Sequence, residues 1–353
     1  MRLLFVTPAR PDGAIGGREQ LSALHRRALS DVLGPDFHAA PLRQADGPVA
    51  RKLRGEIDGV SDASIVKILD TIDRYGIDTL WLDGTNLGLI AKAVAEGRPH
   101  VRIISFAHNV EADFFAASLR RAPSPRAAAV QWANRIAERA AARYSDDLVA
   151  LNSRDSDRFF ARYGRSADAL LPISLIDRAG PVVAQADHPR PYVLFVGGSF
   201  FANREGIRWF AANVSPALHV DTLVVGRGMD ELRSELERFP SVRIIGPANN
   251  LAPWYGGAVA VIAPIFSGSG MKTKVAEAWM FGKSVIGTAE AFVGYDVPDS
   301  CRVCTSASEF VTAINAIDQQ RMIDPDHQLR ARYERDHSPA ALAAGLGSIL
   351  WAR

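Results

Sequence analysis

The run Ala258-Val259-Ala260-Val261-Ile262-Ala263-Pro264 and the later stretch Gly268-Ser269-Gly270-Met271-Lys272-Thr273-Lys274-Val275-Ala276-Glu277-Ala278-Trp279-Met280-Phe281-Gly282 decide the fold. The first is an unbroken apolar run of strand length and reads as a buried strand. The second is a glycine-rich loop opening a helix of about three turns, with Gly282 as its stop. Such glycines let backbone come close to a ligand. The helix start offers free N–H groups and a positive dipole end, which suit phosphate. Lys272 and Lys274 place two cations in the first turn, against the dipole, and so call for an anion. Glu277 shares a face with Lys274 and can accept hydrogen bonds from sugar hydroxyls. Val275, Ala278, Trp279 and Gly282 form the packing stripe opposite. An amphipathic helix with solvated lysines is the competing reading of the same residues.

The chain has 353 residues, 48% hydrophobic and 23% charged, which fits a globular protein of two domains. A formal charge of +2 gives no nucleic-acid signal. No apolar run has the length of a membrane span. The first residues, Met1 to Pro8, hold too short an apolar core for a signal peptide and read as a first strand. Cytoplasm is therefore the expected compartment. The only cysteines are Cys301 and Cys304. With no second ligand pair at suitable spacing, they read as structural rather than as half a zinc site or a redox pair.

Strand-like runs in the first half are Leu3 to Thr7, Thr79 to Leu82, Val101 to Phe106, Leu148 to Leu151 and the weaker Ala169 to Pro172. Helical patterns cover Glu19 to Leu33, Ser61 to Tyr75, Leu87 to Glu96, Ala127 to Tyr144 and Arg154 to Tyr163. This alternation predicts parallel β-α-β units in a doubly wound sheet. Residues 173–191, with Gly180, Pro181, Pro189 and Pro191, read as a linker. A second alternating half follows. Its strands are Tyr192 to Val196, Leu223 to Val225, Val242 to Ile245, 258–263, Ser284 to Gly287 and Arg302 to Thr305. Its helices are Arg204 to Ala212, Met229 to Phe239 and the one that opens after Gly270, with a short segment at Asn250 to Tyr255. The tail, Ser338 to Trp351, reads as a further amphipathic helix. The expected fold class is α/β, with two Rossmann-like doubly wound domains facing a cleft.

Ligands of such sheets bind at the carboxyl ends of strands, so the loops there matter most. The loop Pro8 to Gly17 ends in Gly16-Gly17 before a helix, and serves either a ligand or a flexible turn. It lacks the G-x-G-x-x-G dinucleotide fingerprint. The loop Ala107 to Asp113 carries His108, Glu111 and Asp113, residue types for acid–base work or hydroxyl binding. It also reads as a helix start with Asn109 as N-cap. Residues 117–165 hold ten arginines against five acidic residues. Arg135, Arg139 and Arg143 recur four apart, as a basic face for an anionic membrane or a lipid-phosphate acceptor, or as a solvated surface.

The C-terminal half resembles the nucleotide-sugar-binding domain of group-1 glycosyltransferases of the two-Rossmann GT-B architecture. The resemblance runs through Phe195-Val196-Gly197-Gly198 with Asn203, Val224 to Gly228, Val242 to Gly246 and Ala263 to Ile286. Its most specific part is Gly268-Ser269-Gly270-x-Lys272-x-Lys274-x-x-Glu277-Ala278. Gly16-Gly17 and His108-Asn109 resemble the glycine and histidine loops of the family's N-terminal half. The resemblance implies an acceptor-binding domain over 1–175, a linker over 176–191, a nucleotide-sugar domain over 192–335 and a tail over 336–353 that crosses back. It implies that Glu277 binds the donor ribose and that Lys274 and Lys272 hold the diphosphate. The loops at Gly197, Gly198, Arg227, Ser269 and Gly270 join them, and the backbone near Gly246 meets the base. Gly16 and Gly17 would close over the phosphates, and His108 would touch the sugar or the leaving phosphate. Many members carry a glutamate where this chain has Ser269, which leaves the donor sugar open.

The reaction implied is transfer of a sugar from a nucleotide-diphosphate donor to a glycan, lipid-linked or other acceptor, in polysaccharide or glycoconjugate assembly. Lysines and helix N–H groups would stabilise the leaving diphosphate, with no metal or cofactor beyond the donor. Retention of configuration is the family's usual course, and Glu111 or Asp113 is the available base for inversion. Peripheral contact with the inner membrane through the arginine-rich helix is a further expectation, and nucleic acid is not an expected partner. The competing readings are a nucleotide-sugar epimerase and a degenerate scaffold that binds a sugar nucleotide or a partner protein.

Overall fold

The computed structural model describes residues 1–9, 17–43, 49–180, 188–268, 270–317 and 325–352. It falls into two compact units, Met1–Ile173 with Leu342–Arg353, and Ser174–Ala341.

In the first unit the order is β1 (Leu3–Ala9), α1 (Gly17–Leu33), β2 (Phe37–Arg43), α2 (Val49–Leu53), α3 (Asp62–Tyr75), β3 (Thr79–Leu82), α4 (Gly88–Gly97), β4 (Arg102–Ala107), α5 (Glu111–Arg121), α6 (Pro125–Tyr144), β5 (Asp147–Ala150), α7 (Ser153–Tyr163) and β6 (Ala169–Leu170). The strands form one parallel sheet in the order β2-β1-β3-β4-β5-β6. Strands β1, β3 and β4 are mostly apolar and mostly buried because helices cover both faces of a parallel sheet. Leu4, Val6, Leu80, Leu82, Ile90 and Ile103 make one side of that core. Strand β2 has no counterpart in the sequence reading. Its run, Phe-His-Ala-Ala-Pro-Leu-Arg, is partly exposed and holds Pro41, which an edge strand tolerates.

The second unit holds β7 (Tyr192–Val196), α8 (Phe201–Asn213), β8 (Asp221–Val225), α9 (Arg233–Leu236), β9 (Val242–Gly246), α10 (Ala252–Gly257), β10 (Ala258–Ala263), α11 (Thr273–Met280), β11 (Val285–Gly287), β12 (Arg302–Val303), α12 (Ala307–Asn315) and α13 (His327–Asp336). Its parallel sheet runs β12-β11-β10-β7-β8-β9. The last helix is α14 (Pro339–Trp351). Its buried Leu346, Ile349 and Leu350 belong to the first unit, where Arg102 donates to the carbonyls of Leu350 and Ile349 at 2.8 and 3.0 Å.

Three details differ from the sequence reading. The helix expected to run about three turns is α11, which has 8 residues, a little over two turns. Lys272 is its N-cap, and Gly282 stops it in the left-handed region (φ 64°) just beyond the Phe281 C-cap. The helix expected over Met229 to Phe239 is a 3₁₀ turn, Met229–Leu232, followed by the single turn of α9. Its apolar spacing is still used, since Met229, Leu232 and Leu236 are all buried. Helices α2, α12 and α13 have no counterpart in the sequence reading. Among the described residues, no helix is long and apolar enough to cross a membrane.

Candidate functional site

In the second unit the chain leaves β7 toward β8 and β9, then returns through β10 to build β11 and β12 on the other side. The switch point of this sheet therefore lies between β7 and β10, where open α/β sheets bind ligands. The loop after β7 carries Gly197 and Gly198, and the segment after β10 leads into α11. Lys274, on the first turn of α11, is 7% exposed. Its Nζ donates to Asn203 Oδ1 of α8 at 2.8 Å and sits 4.1 Å above the centre of the Phe195 ring. Asn203 in turn donates from Nδ2 to the carbonyl of Gly198 at 2.9 Å. Burial, helped by the charge of Lys272 and opposed by Glu277, pushes the Lys274 amine down to about 7.

Lys272 points elsewhere. Its Nζ bonds the carbonyl of Gly270 at 2.9 Å and Glu290 Oε1 at 3.0 Å, so it ties the glycine loop to a carboxylate that sequence reading missed. Glu277 accepts from the buried Tyr255 hydroxyl at 2.9 Å. Burial raises the Glu277 carboxyl, against that hydrogen bond and the charges of Arg178 and Lys274. The glycine loops interlock. The Gly197 and Gly226 N–H groups donate to the carbonyls of Val225 and Gly246 at 3.0 and 2.7 Å, and Ser199 N–H donates to that of Arg227 at 3.0 Å. A Cβ on Gly226 would stand 1.9 Å from the Gly197 oxygen, and one on Gly197 would stand 2.7 Å from Asn203 Nδ2. The loops thus meet one another backbone to backbone. The Arg227 side chain is exposed.

In the first unit the sheet switches between β1 and β3, and the polar residues gather beside it. Asp83, directly after β3, is fully buried and accepts from Thr7 of β1 at 2.8 Å through Oδ2. Its Oδ1 lies 2.9 Å from His108 Nε2, at the end of β4. Burial works against the Asp83 charge. The His108 imidazole and its hydrogen bond, with His25 and Ser22, outweigh that and hold the carboxyl well below the usual carboxylate range. His25 packs edge-on against Phe106 at 4.5 Å, and burial pushes it down to about 3.

Glu111, the first residue of α5, is 3% exposed and lies 3.3 Å from the Arg18 guanidinium. Arg18 also donates to Asn86 at 3.1 Å. The expected Asn109 N-cap is not formed: Val110 holds that position, without a side-chain cap. Instead the buried carboxylate of Glu138, from α6, accepts the N–H groups of Glu111 and Ala112 at 2.7 and 3.1 Å. It also accepts the Tyr163 hydroxyl at 2.7 Å. A carboxylate suits a helix start better than an amide does, through the dipole. Burial raises Glu138 to about 7 against these hydrogen bonds. Asp113 pairs with Arg162.

Among the residues expected from sequence, His108 and Glu111 lie in the first unit, and Gly17 begins α1 there. Gly197, Gly198, Arg227, Gly246, Gly270, Lys272, Lys274 and Glu277 lie in the second. Gly16 and Ser269 lie outside the described residues. Sequence reading missed Asp83, Arg18, Glu138, Tyr255 and Glu290. Two of these left a signal: Asp83 follows a predicted strand, and Glu138 is the lone acid in an alanine- and arginine-rich helix. Cys301 and Cys304 are buried and free, and Cys301 Sγ accepts the Val285 N–H at 3.3 Å, in keeping with a structural role.

The sequence model of the group 1 glycosyl transferases matches residues 190–317. No curated protein matches the chain. Sucrose-phosphate synthase from Thermosynechococcus elongatus is similar over 99% of this chain and 98% of its own, with a TM-score of 0.71 and 16% identity. HepE from Anabaena, solved with UDP-glucose, is similar over 99% of both chains (TM-score 0.67, 13% identity). The lipopolysaccharide outer core galactosyltransferase WaaB matches over 100% of this chain and 99% of its own, at 0.64 and 14%. The chain has the GT-B fold of these proteins, and its second unit matches the group 1 glycosyl transferases.

Proposed function

We propose that the chain is a glycosyltransferase that moves a sugar from a nucleoside-diphosphate donor to a glycan, lipid-linked or other acceptor. The observation that carries this reading is Lys274: a buried amine at the start of α11, beside the switch point, whose hydrogen bond goes to an amide. A buried cation is unfavourable without an anion. A diphosphate against Lys274 and the N–H groups at the start of α11 supplies one. Glu277, oriented by Tyr255, is the proposed partner of the ribose hydroxyls. The proposed reaction needs no metal, because these donors meet the charge that develops on the leaving diphosphate. It is proposed to retain configuration. His108, held by Asp83, and Glu111, held by Arg18, are the first unit's proposed contribution, together with the acceptor and any peripheral membrane contact. Since HepE was solved with UDP-glucose, uridine nucleotides are the first donors to test.

The test is thermal unfolding with UDP, GDP, ADP and dTDP and their common sugars, on wild type and Glu277→Ala. A ligand at 100 times its dissociation constant adds about 2.7 kcal/mol of stability. Stabilisation of wild type by one nucleotide, lost in the variant, supports the donor site and names the base. No stabilisation by any nucleotide sinks it in favour of a scaffold that binds a protein partner. Proton NMR of the product then reads the anomer, and an inverted one removes the retaining course.

A further inference from the structure

Helix α6 carries Arg135, Arg139 and Arg143 at four-residue spacing, all exposed. Like charges at that spacing repel along a helix face. Among the described residues, no carboxylate lies within ion-pair distance of any of the three. The row is not a flat surface. With Ala142, and with Arg162 and Tyr163 from the end of α7, it lines a pocket of about 420 Å³. Arg162 already pairs with Asp113, which leaves three guanidinium groups of the lining without a carboxylate partner among the described residues. The other nearby acid, Glu138, is buried and engaged by Tyr163 and the start of α5. Guanidinium groups converging on a concavity match the oxygens of a phosphoryl group, which they can grip in pairs. The volume is that of a small-molecule site.

We propose that this pocket binds a phosphoryl group, carried either by a soluble phosphate ester or by a lipid headgroup. The pocket is built from the faces of α6 and α7, whereas Lys274 and Glu277 lie in the other unit. The proposal therefore stands apart from the donor reading and can fail without it.

The test titrates inorganic phosphate calorimetrically into wild type, Arg135→Glu/Arg139→Glu and Lys274→Ala. Phosphate binding is expected to survive Lys274→Ala and to weaken at least about tenfold in the double variant. It should also fall with added salt. Co-sedimentation with vesicles of phosphatidic acid, against phosphatidylcholine alone, identifies the source. Capture by phosphatidic acid that the double variant loses assigns the lipid headgroup, and phosphate binding without capture assigns a soluble ester. Equal behaviour of wild type and the double variant toward both probes, or no binding of either by wild type, overturns the proposal. Circular dichroism checks the fold, and Arg139→Gln replaces the double variant if charge reversal disturbs it.

Discussion

Replacement of Lys274 by methionine isolates the burial of its charge. The displacement of its amine from 10.5 to about 7 corresponds to about 5 kcal/mol by which folding disfavours the charged form. The sign follows from proton binding. Between about pH 7 and 10.5 the unfolded chain holds the proton and the folded chain does not, so stability rises with pH across that window. Below pH 7 both states are charged, and the full penalty is present. Lys274→Met removes it, keeps a chain of similar length over the Phe195 ring, and lets sulfur replace the cation there. It also leaves Asn203 Oδ1 without its donor, which costs about 1–3 kcal/mol. The variant should then be about 2 kcal/mol more stable than wild type at pH 6, and no more stable than wild type at pH 10. Urea unfolding of both proteins at the two pH values measures this. A variant less stable than wild type by the same amount at both would show that Lys274 is not a destabilising buried cation, and the anion argument would fall with it. The same variant should lose nucleotide-dependent stabilisation.

Three further changes have definite outcomes. Gly226→Ala places a methyl 1.9 Å from the Gly197 oxygen at a backbone φ of 157°, so the two loops must separate; thermal unfolding should show a loss of more than about 2 kcal/mol. Glu138→Ala removes the acceptor for two N–H groups at the start of α5 and for Tyr163, a loss of about 2–4 kcal/mol, and amide exchange should quicken at Glu111 and Ala112. Deleting 342–353 exposes the surface under Leu342, Leu346, Ile349 and Leu350. At about 1.5–3 kcal/mol each, that matches the whole stability of a domain, so limited proteolysis should find the first unit unfolded.

The parallel sheets were legible because a buried parallel strand is an uninterrupted apolar word. Thr79 to Leu82 and Tyr192 to Val196 coincide with β3 and β7 residue for residue. Strand β2 was not legible, since an edge strand is half solvated and its Phe-His-Ala-Ala-Pro-Leu-Arg alternates with no clear period. The candidate site divides in the same way. Glycines and helix-start lysines are local signals, and they led to Gly197, Lys274 and Glu277. Their partners come from far along the chain: Asn203 lies 71 residues before Lys274, and Tyr255 22 before Glu277. No local pattern encodes such pairings. The Lys272–Glu290 pair shows the consequence most clearly. From sequence, Lys272 and Lys274 are two cations, two residues apart, in the first turn of one helix. In the fold a carboxylate neutralises the first and burial strips water from the second. Among the described residues no carboxylate is hydrogen-bonded to Lys274, whose Nζ goes to Asn203, and that difference, more than the presence of two lysines, is why the proposed diphosphate is given to Lys274.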